Sequence, residues 1–255
     1  MITATKNIDI KNKEIVIDIK GLHKSFGENN KVLRGVDLIV KKGENLVVIG
    51  KSGSGKSITI KCLVGLLQAD EGIIKVFETD VTKLNNKALN EIRLRIGFLF
   101  QNSALYDSMT VGENLSFPLK RHSKKLSTEE VNNEVVETLK SVGLDEAINK
   151  MPSELSGGMR KRIGLARTLI LKPEIILYDE PTTGLDTITS KEISELILAI
   201  QHKNNTTSII ITHDMACAKL TGDRIVILKD GIIYAEGTYA SLEKSDDDWV
   251  RAFFV

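Results

Sequence analysis

The string GKSGSGKS at Gly50–Ser57 constrains this chain more than any other stretch of it. It follows a continuously apolar run, Asn45–Ile49, and opens the helical pattern SITIKCLVGLL. G-x-x-x-x-G-K-S between a buried strand and a helix is a phosphate cradle. Its glycines let the backbone wrap tightly, so that successive N–H groups and the positive start of the helix face one anion. The candidate anion-binding residues are Gly50, Lys51, Ser52, Gly53, Ser54, Gly55, Lys56, Ser57 and Ile58. Lys56 suits the β- and γ-phosphates of a nucleotide, and the Ser57 hydroxyl suits Mg²⁺. A merely glycine-rich turn would not need both flanks.

The rest of the chain fits an α/β fold with a largely parallel sheet, because short apolar runs alternate with helical patterns. Glu14–Ile19 alternates like a half-buried strand, and DLIVKKGENLVVIG holds two strand candidates around a Lys-Gly turn. Glu174–Tyr178, Ser208–Thr212 and Arg224–Leu228 are continuously apolar, as strands covered on both faces are. Asp230-Gly231 after the last of them marks a tight hairpin. Between Gln101 and Ser156 the texture becomes helical. Ser127-Thr-Glu-Glu130 is a capping box for a helix carrying Val131, Val135, Leu139 and Val142 on one face, closed by Gly143. The pattern predicts a helical subdomain inserted into an α/β core.

Chemistry-bearing residues gather at the ends of the apolar runs. IILYDEP places Asp179 and Glu180 at the carboxyl end of a strand, where parallel sheets bind ligands. Asp179 suits a place behind Mg²⁺, and Glu180 suits polarisation of an attacking water. His213 ends Ser208–Thr212 and is a candidate contact to the terminal phosphate or that water. Gln101 ends the run FLF and by itself means little. SELSGGMRKRIGLAR then offers a second anion cradle, with Ser156 as N-cap and Gly157-Gly158 leaving backbone N–H groups bare. Exposed glycines weaken a helix by about 1 kcal/mol each, so the bare backbone calls for a reason. Within the basic stretch that follows, Lys161 and Arg162 are expected on a solvated helix face.

Bulk properties exclude more than they assign. With 255 residues and a formal net charge of +1, the chain carries no long-range field that would favour nucleic acid. Cys62 and Cys217 lie too far apart for a metal or redox pair and are expected as buried thiols. The start MITATKNIDIKNKEIVIDIK lacks the pattern of a signal peptide. No apolar run approaches the ~20 residues that cross a bilayer, so any membrane role is expected to come through a partner.

Taken together, these motifs resemble the nucleotide-binding subunit of ATP-binding-cassette (ABC) transporters, over almost the whole chain from about Ile17 to Gly237. GKSGSGKS is similar to Walker A, IILYDE to Walker B, LSGGM to the family signature and TGLD (Thr183–Asp186) to the D-loop. Gln101 matches the Q-loop glutamine, a Mg²⁺ contact, His213 the switch histidine, and Phe26 in KSFG the aromatic platform for adenine. The resemblance implies a P-loop NTPase (RecA-like) core with a mainly parallel sheet, an N-terminal antiparallel β part and the inserted helices. It also implies ATP hydrolysis with Mg²⁺, in a head-to-tail pair of copies bound to transmembrane permease subunits. The signature of each copy, Ser156, Gly157 and Gly158 with Asp186 nearby, would face the Walker A phosphates of the other. That accounts for the second cradle. Two positions depart from the common pattern: Met159 replaces glutamine in the signature, and the platform is phenylalanine rather than tyrosine.

Finer likeness, in Leu99–Leu119, MPSELSGGMRKRIGLARTL and DEPTTGLDTITS, points to the ATPase of MCE-associated phospholipid transporters of double-membraned bacteria. It implies a place on the cytoplasmic face of the inner membrane, with an MCE-domain protein and an accessory subunit as further partners. Alternatives are the ATPase of an amino-acid or lipoprotein transporter, a soluble cassette acting on DNA or the ribosome, and a degenerate nucleotide-binding module. The short, heptad-free segment between Gln101 and Ser156 and the single cassette disfavour the soluble class. Intact Lys56, Ser57, Asp179, Glu180 and His213 disfavour the degenerate one. The expected layout is one ATPase domain over 14–243, with 14–101 and 169–243 as core and 102–168 as the helical part. In the tail, 244–255, a short helix capped by Asp246–Asp248 would set Trp249 and Phe253 on one face beside Phe254, either folded onto the chain's own core or docked on the twin or an accessory protein.

Overall fold

The computed structural model describes residues 13–27, 30–122 and 126–255, so the signal-peptide reading of the first residues lies, for 1–12, outside the described residues. Two sheets form the body. An antiparallel sheet of β1 (Ile15–Ser25), β2 (Lys31–Lys41), β4 (Glu71–Val76) and β5 (Thr79–Asp80) runs in the order β2-β1-β4-β5. β3 (Asn45–Ile49), β6 (Ile96–Leu99), β7 (Ile175–Asp179), β8 (Thr207–Ile211), β9 (Arg224–Lys229) and β10 (Ile232–Gly237) make the second, in the order β10-β9-β3-β8-β7-β6. All its neighbours pair in parallel except β10, which returns from β9. The turn between β2 and β3 therefore passes from one sheet to the other. Arg224 locks that junction: it donates to the buried Glu44 carboxylate at 2.7 Å and to the Ile39 carbonyl at 2.5 Å.

Burial explains the strand sequences. β3, β7 and β8 are buried at every position because both faces of the sheet are covered. Leu46, Val48, Leu177, Ile209, Ile211, Val226 and Leu228 pack with the antiparallel sheet and with α1 (Lys56–Leu63). The alternate residues Val47, Ile49, Ile176, Tyr178, Ile210, Ile225 and Ile227 face α6 (Thr187–Asn204) and α7 (Met215–Thr221) through Ile193, Ile197, Cys217 and Ala218. Each fully buried Ile or Leu here contributes about 1.5–3 kcal/mol by leaving water. β1 does not alternate cleanly: Val16 and Ile17 are both buried, because the register with β2 shifts between Ile15 and Ile17. Asp230 and Gly231, with φ of 49° and 80°, turn the chain from β9 into β10 as the hairpin residues predict.

A third apolar cluster lies apart from the sheets. α3 (Val111–His122) supplies Val111, Leu115 and Leu119, and α4 (Thr128–Ser141) supplies Val131, Val135 and Leu139. α4 starts with the expected capping box between Ser127 and Glu130. Against them lies α5 (Gly157–Leu169), which gives Ile163 and Ala166 to this cluster and Leu165 and Leu169 to the sheet. The remaining helices are α2 (Asn86–Leu94), α8 (Tyr239–Glu243) and α9 (Asp248–Arg251).

Two features were open or unexpected in the sequence. The tail helix α9 is a single turn capped by Asp247, and its apolar side folds on the chain's own core. Val250 is buried, Trp249 stacks edge-on against Tyr234 and Phe253, and Phe254 does so against Tyr239. Of the two alternatives, the rings thus take up the chain's own core. Lys161 is not solvated as expected, being 6% exposed, whereas the partly exposed Arg162 pairs with the exposed Glu192 at 2.7 Å and donates to the Val142 carbonyl. Both thiols are buried as expected, and burial pushes each up to about 11. Among the described residues no helix is long and apolar enough to cross a membrane.

Candidate functional site

The parallel register brings the chemistry-bearing strand ends to one edge of the sheet. Val48 and Asp179 both align with Ile211, and Leu99 aligns with Tyr178. The residues just beyond are the Gly50–Gly55 loop, Gln101, Glu180 and His213. They converge on a cleft of about 560 Å³. Its wall includes Phe26 on one side, Ser52, Gly53, Gly55, Lys56, Ser57 and Ile58 below, and Gln101, Glu180 and His213 opposite. Asn30 and Val32 also line it, which no sequence pattern indicated.

The loop is built for a ligand that lies against bare backbone. At Gly50 a Cβ would sit 2.3 Å from the Leu228 carbonyl oxygen and 2.8 Å from Ser54 Oγ, so only glycine lets the chain turn there. α1 begins after Gly55 with no side-chain cap, leaving its first N–H groups for an anion. Ser54 Oγ is buried without a partner, a further polar group aimed at nothing in the protein. Lys56 Nζ donates to the loop's own carbonyls at Gly50 (2.8 Å) and Lys51 (3.1 Å). Burial holds its ammonium below the usual lysine range, against the opposing pull of Glu180 and Asp179. A desolvated ammonium held over a bare helix start suits a phosphate chain.

Beside it, Ser57 Oγ donates to Asp179 Oδ1 at 2.8 Å, and Asp179 is 8% exposed. Two hard oxygen donors fit Mg²⁺, which takes one or two protein ligands and completes its shell with phosphate and water. The exposed Gln101 side chain lines the same cleft. Glu180 has φ of 54°, a left-handed conformation unusual for a side-chain-bearing residue. Its Oε2 accepts from Thr183 Oγ1 at 3.0 Å and lies 2.7 Å from His213 Nδ1. With Glu180 ionised, Nδ1–H donates, leaving Nε2 of this largely exposed ring free. Thr183 is a partner that sequence reasoning missed.

The second cradle is elsewhere. Ser156, Gly157, Gly158 and Asp186 line a separate cleft of about 500 Å³. Ser156 caps α5 by accepting from the Met159 N–H, as predicted. Gly158 has a packing reason as well, since a Cβ would meet Thr189 of α6 at 2.6 Å. Asp186 caps α6, accepting from the N–H groups of Ile188 and Thr189 and from the Thr189 hydroxyl. That hydroxyl and those N–H groups hold its carboxyl below the usual range. One chain thus carries two clefts that share no lining residue: one joins Lys56, Glu180 and His213, and the other sets the start of α5 beside Arg162, Asp186 and Glu192.

Comparison with known proteins agrees with this geometry. The ABC transporter family profile matches residues 33–183. A "probable ribonucleotide transport ATP-binding protein mkl" of Mycobacterium leprae is 41% identical over 94% of this chain and 68% of its own length. The chloroplastic protein TRIGALACTOSYLDIACYLGLYCEROL 3 of Arabidopsis thaliana is 37% identical over 94% of this chain and 73% of its own. Among solved structures, the ATP-binding cassette MJ0796, dimeric in a post-hydrolysis state with ADP and Pi, superposes with a TM-score of 0.80. It is 33% identical and covers 87% of this chain and 98% of its own. With the cradle, the acids at the sheet edge and the second helix start in place, the chain belongs to the ATP-hydrolysing subunits of the ABC transporter family.

Proposed function

We propose that this chain works as a pair with a second copy of itself and powers a membrane transporter for phospholipid. The observation that carries the pairing is the division of labour between the two clefts. A triphosphate in the first cleft has one open side, and the second cleft offers the glycine-rich start of α5, without a lysine or histidine of its own. Placed head to tail, each copy would complete the other's site, an arrangement supported by the dimeric state of the related cassette MJ0796.

In this reading Phe26 stacks on adenine, the loop and Lys56 grip the phosphates, and Ser57, Asp179 and Gln101 hold Mg²⁺. When bound, the ion neutralises charge between the phosphates. Glu180 takes the proton of the attacking water, general-base work that contributes ~10²–10⁴ in rate. His213 keeps the carboxylate aimed through Nδ1 and presents Nε2 toward the terminal phosphate. Residues 14–243 act as one ATPase domain, with 102–168 reaching toward transmembrane permease subunits at the cytoplasmic face of the inner membrane. An MCE-domain protein and an accessory subunit complete the assembly.

Phospholipid as cargo is supported by the stretches around Gln101 and the signature, and by a relative named for a diacylglycerol galactolipid. The mycobacterial relative's name favours a second reading, ribonucleotide transport. Purifying the native complex from membranes and analysing what extracts with it separates the two. Stoichiometric phospholipid together with an MCE-domain subunit supports the first. A complex without lipid, stimulated by ribonucleotides through its transmembrane subunits, overturns it.

A further inference from the structure

Lys161 is a buried cation that no part of the catalytic account uses. On α5 it follows Gly157 by one turn and precedes Leu165 and Leu169 on the stripe that packs against the sheet. Burying an ammonium is costly unless it is fully hydrogen-bonded. Lys161 Nζ donates to two main-chain carbonyls, that of Gln101 at 2.5 Å and that of Glu180 at 3.1 Å. Burial depresses its affinity for a proton, and the nearby charges of Glu180 and Asp179 oppose that depression.

The second of these carbonyls belongs to the strained residue. A left-handed, non-glycine backbone is unfavourable and persists only where its surroundings fix it. The Glu180 N–H donates to Ile211 at 2.9 Å, and its carbonyl accepts from Lys161 and, at 3.4 Å, from the Thr183 N–H. Both peptide groups flanking the Glu180 Cα are thereby pinned, and the side chain is left pointing at His213.

We propose that Lys161 is the positioning residue for Glu180, fixing through the Glu180 carbonyl the backbone conformation that aims the carboxylate into the first cleft. The same ammonium holds the Gln101 carbonyl, so two walls of that cleft are set by one side chain. α5 begins in the second cleft at Gly157, so the helix that receives the partner's phosphates also sets this chain's own base.

The inference rests on the reading of Glu180 as base, and the experiment separates the two. ATP turnover is measured for wild type, Lys161→Met, Glu180→Gln and the double variant. Lys161→Met is expected to lower kcat more than threefold while KM for ATP changes less than threefold. In the Glu180→Gln background the same substitution is expected to change the residual rate less than twofold, because there is no base left to misplace. The inference is overturned if kcat falls threefold or less, if KM changes threefold or more, or if the loss of twofold or more recurs in the Glu180→Gln background. Should Lys161→Met not fold, Lys161→Gln is judged by the same limits. A Glu180→Gln variant with wild-type turnover would instead sink the reading of the base itself.

Discussion

His213 Nδ1 lies 2.7 Å from Glu180 Oε2, and Thr183 Oγ1 donates to the same oxygen at 3.0 Å. One carboxylate oxygen is therefore occupied on its protein side, while Glu180 still lines the cleft. The first prediction follows from this division. Glu180→Gln keeps the shape and the loop but loses the basic oxygen, so ATP binding should stay within threefold of wild type. Turnover should fall ~10²–10⁴-fold. Equilibrium binding of a fluorescent ATP analogue together with phosphate release checks both halves.

The Ser57–Asp179 hydrogen bond marks where the cation belongs. Chelating Mg²⁺ with excess EDTA should abolish hydrolysis and leave the far-ultraviolet dichroism unchanged, since no fold element is built around the ion. Ser57→Ala should raise the Mg²⁺ concentration giving half-maximal rate at least tenfold. A magnesium titration of the rate reads this directly.

Trp249 packs between Tyr234 and Phe253, with Lys229 Nζ 4.1 Å from its ring centroid. Trp249→Ala should cost about 2 kcal/mol, less than a fully buried tryptophan because the residue is only partly buried. Denaturant unfolding provides the measurement. Transporter assembly should survive in the folded variant, because the rings serve this chain's own core.

Most of the site was legible because its residues sit at strand ends, where sequence order and sheet geometry coincide. The loop after β3, Asp179 and Glu180 at the end of β7, and His213 after β8 needed only a parallel register to converge. What escaped depended on which way a helix faces. Lys161 reads as one charge among Arg160, Arg162 and Arg167, although its spacing of four and eight from Leu165 and Leu169 places it on the apolar stripe. The left-handed backbone of Glu180 carries no signature either, since two of the hydrogen bonds on its peptide groups, with Ile211 and Lys161, come from distant segments. Tail aromatics could equally have served a partner's surface or the chain's own. Only the proximity of Tyr234 and Tyr239 decides it.

The claim on which the account turns is that each nucleotide is held between the first cleft of one copy and the second cleft of another. Lys56→Ala disables a chain's own cradle, and Ser156→Arg blocks the cradle it lends. Each variant alone should be inactive. Mixed under conditions that allow pairing, they should hydrolyse ATP, because one site per mixed pair combines an intact Lys56 with an intact Ser156. A mixture as inactive as either variant alone would contradict the shared site.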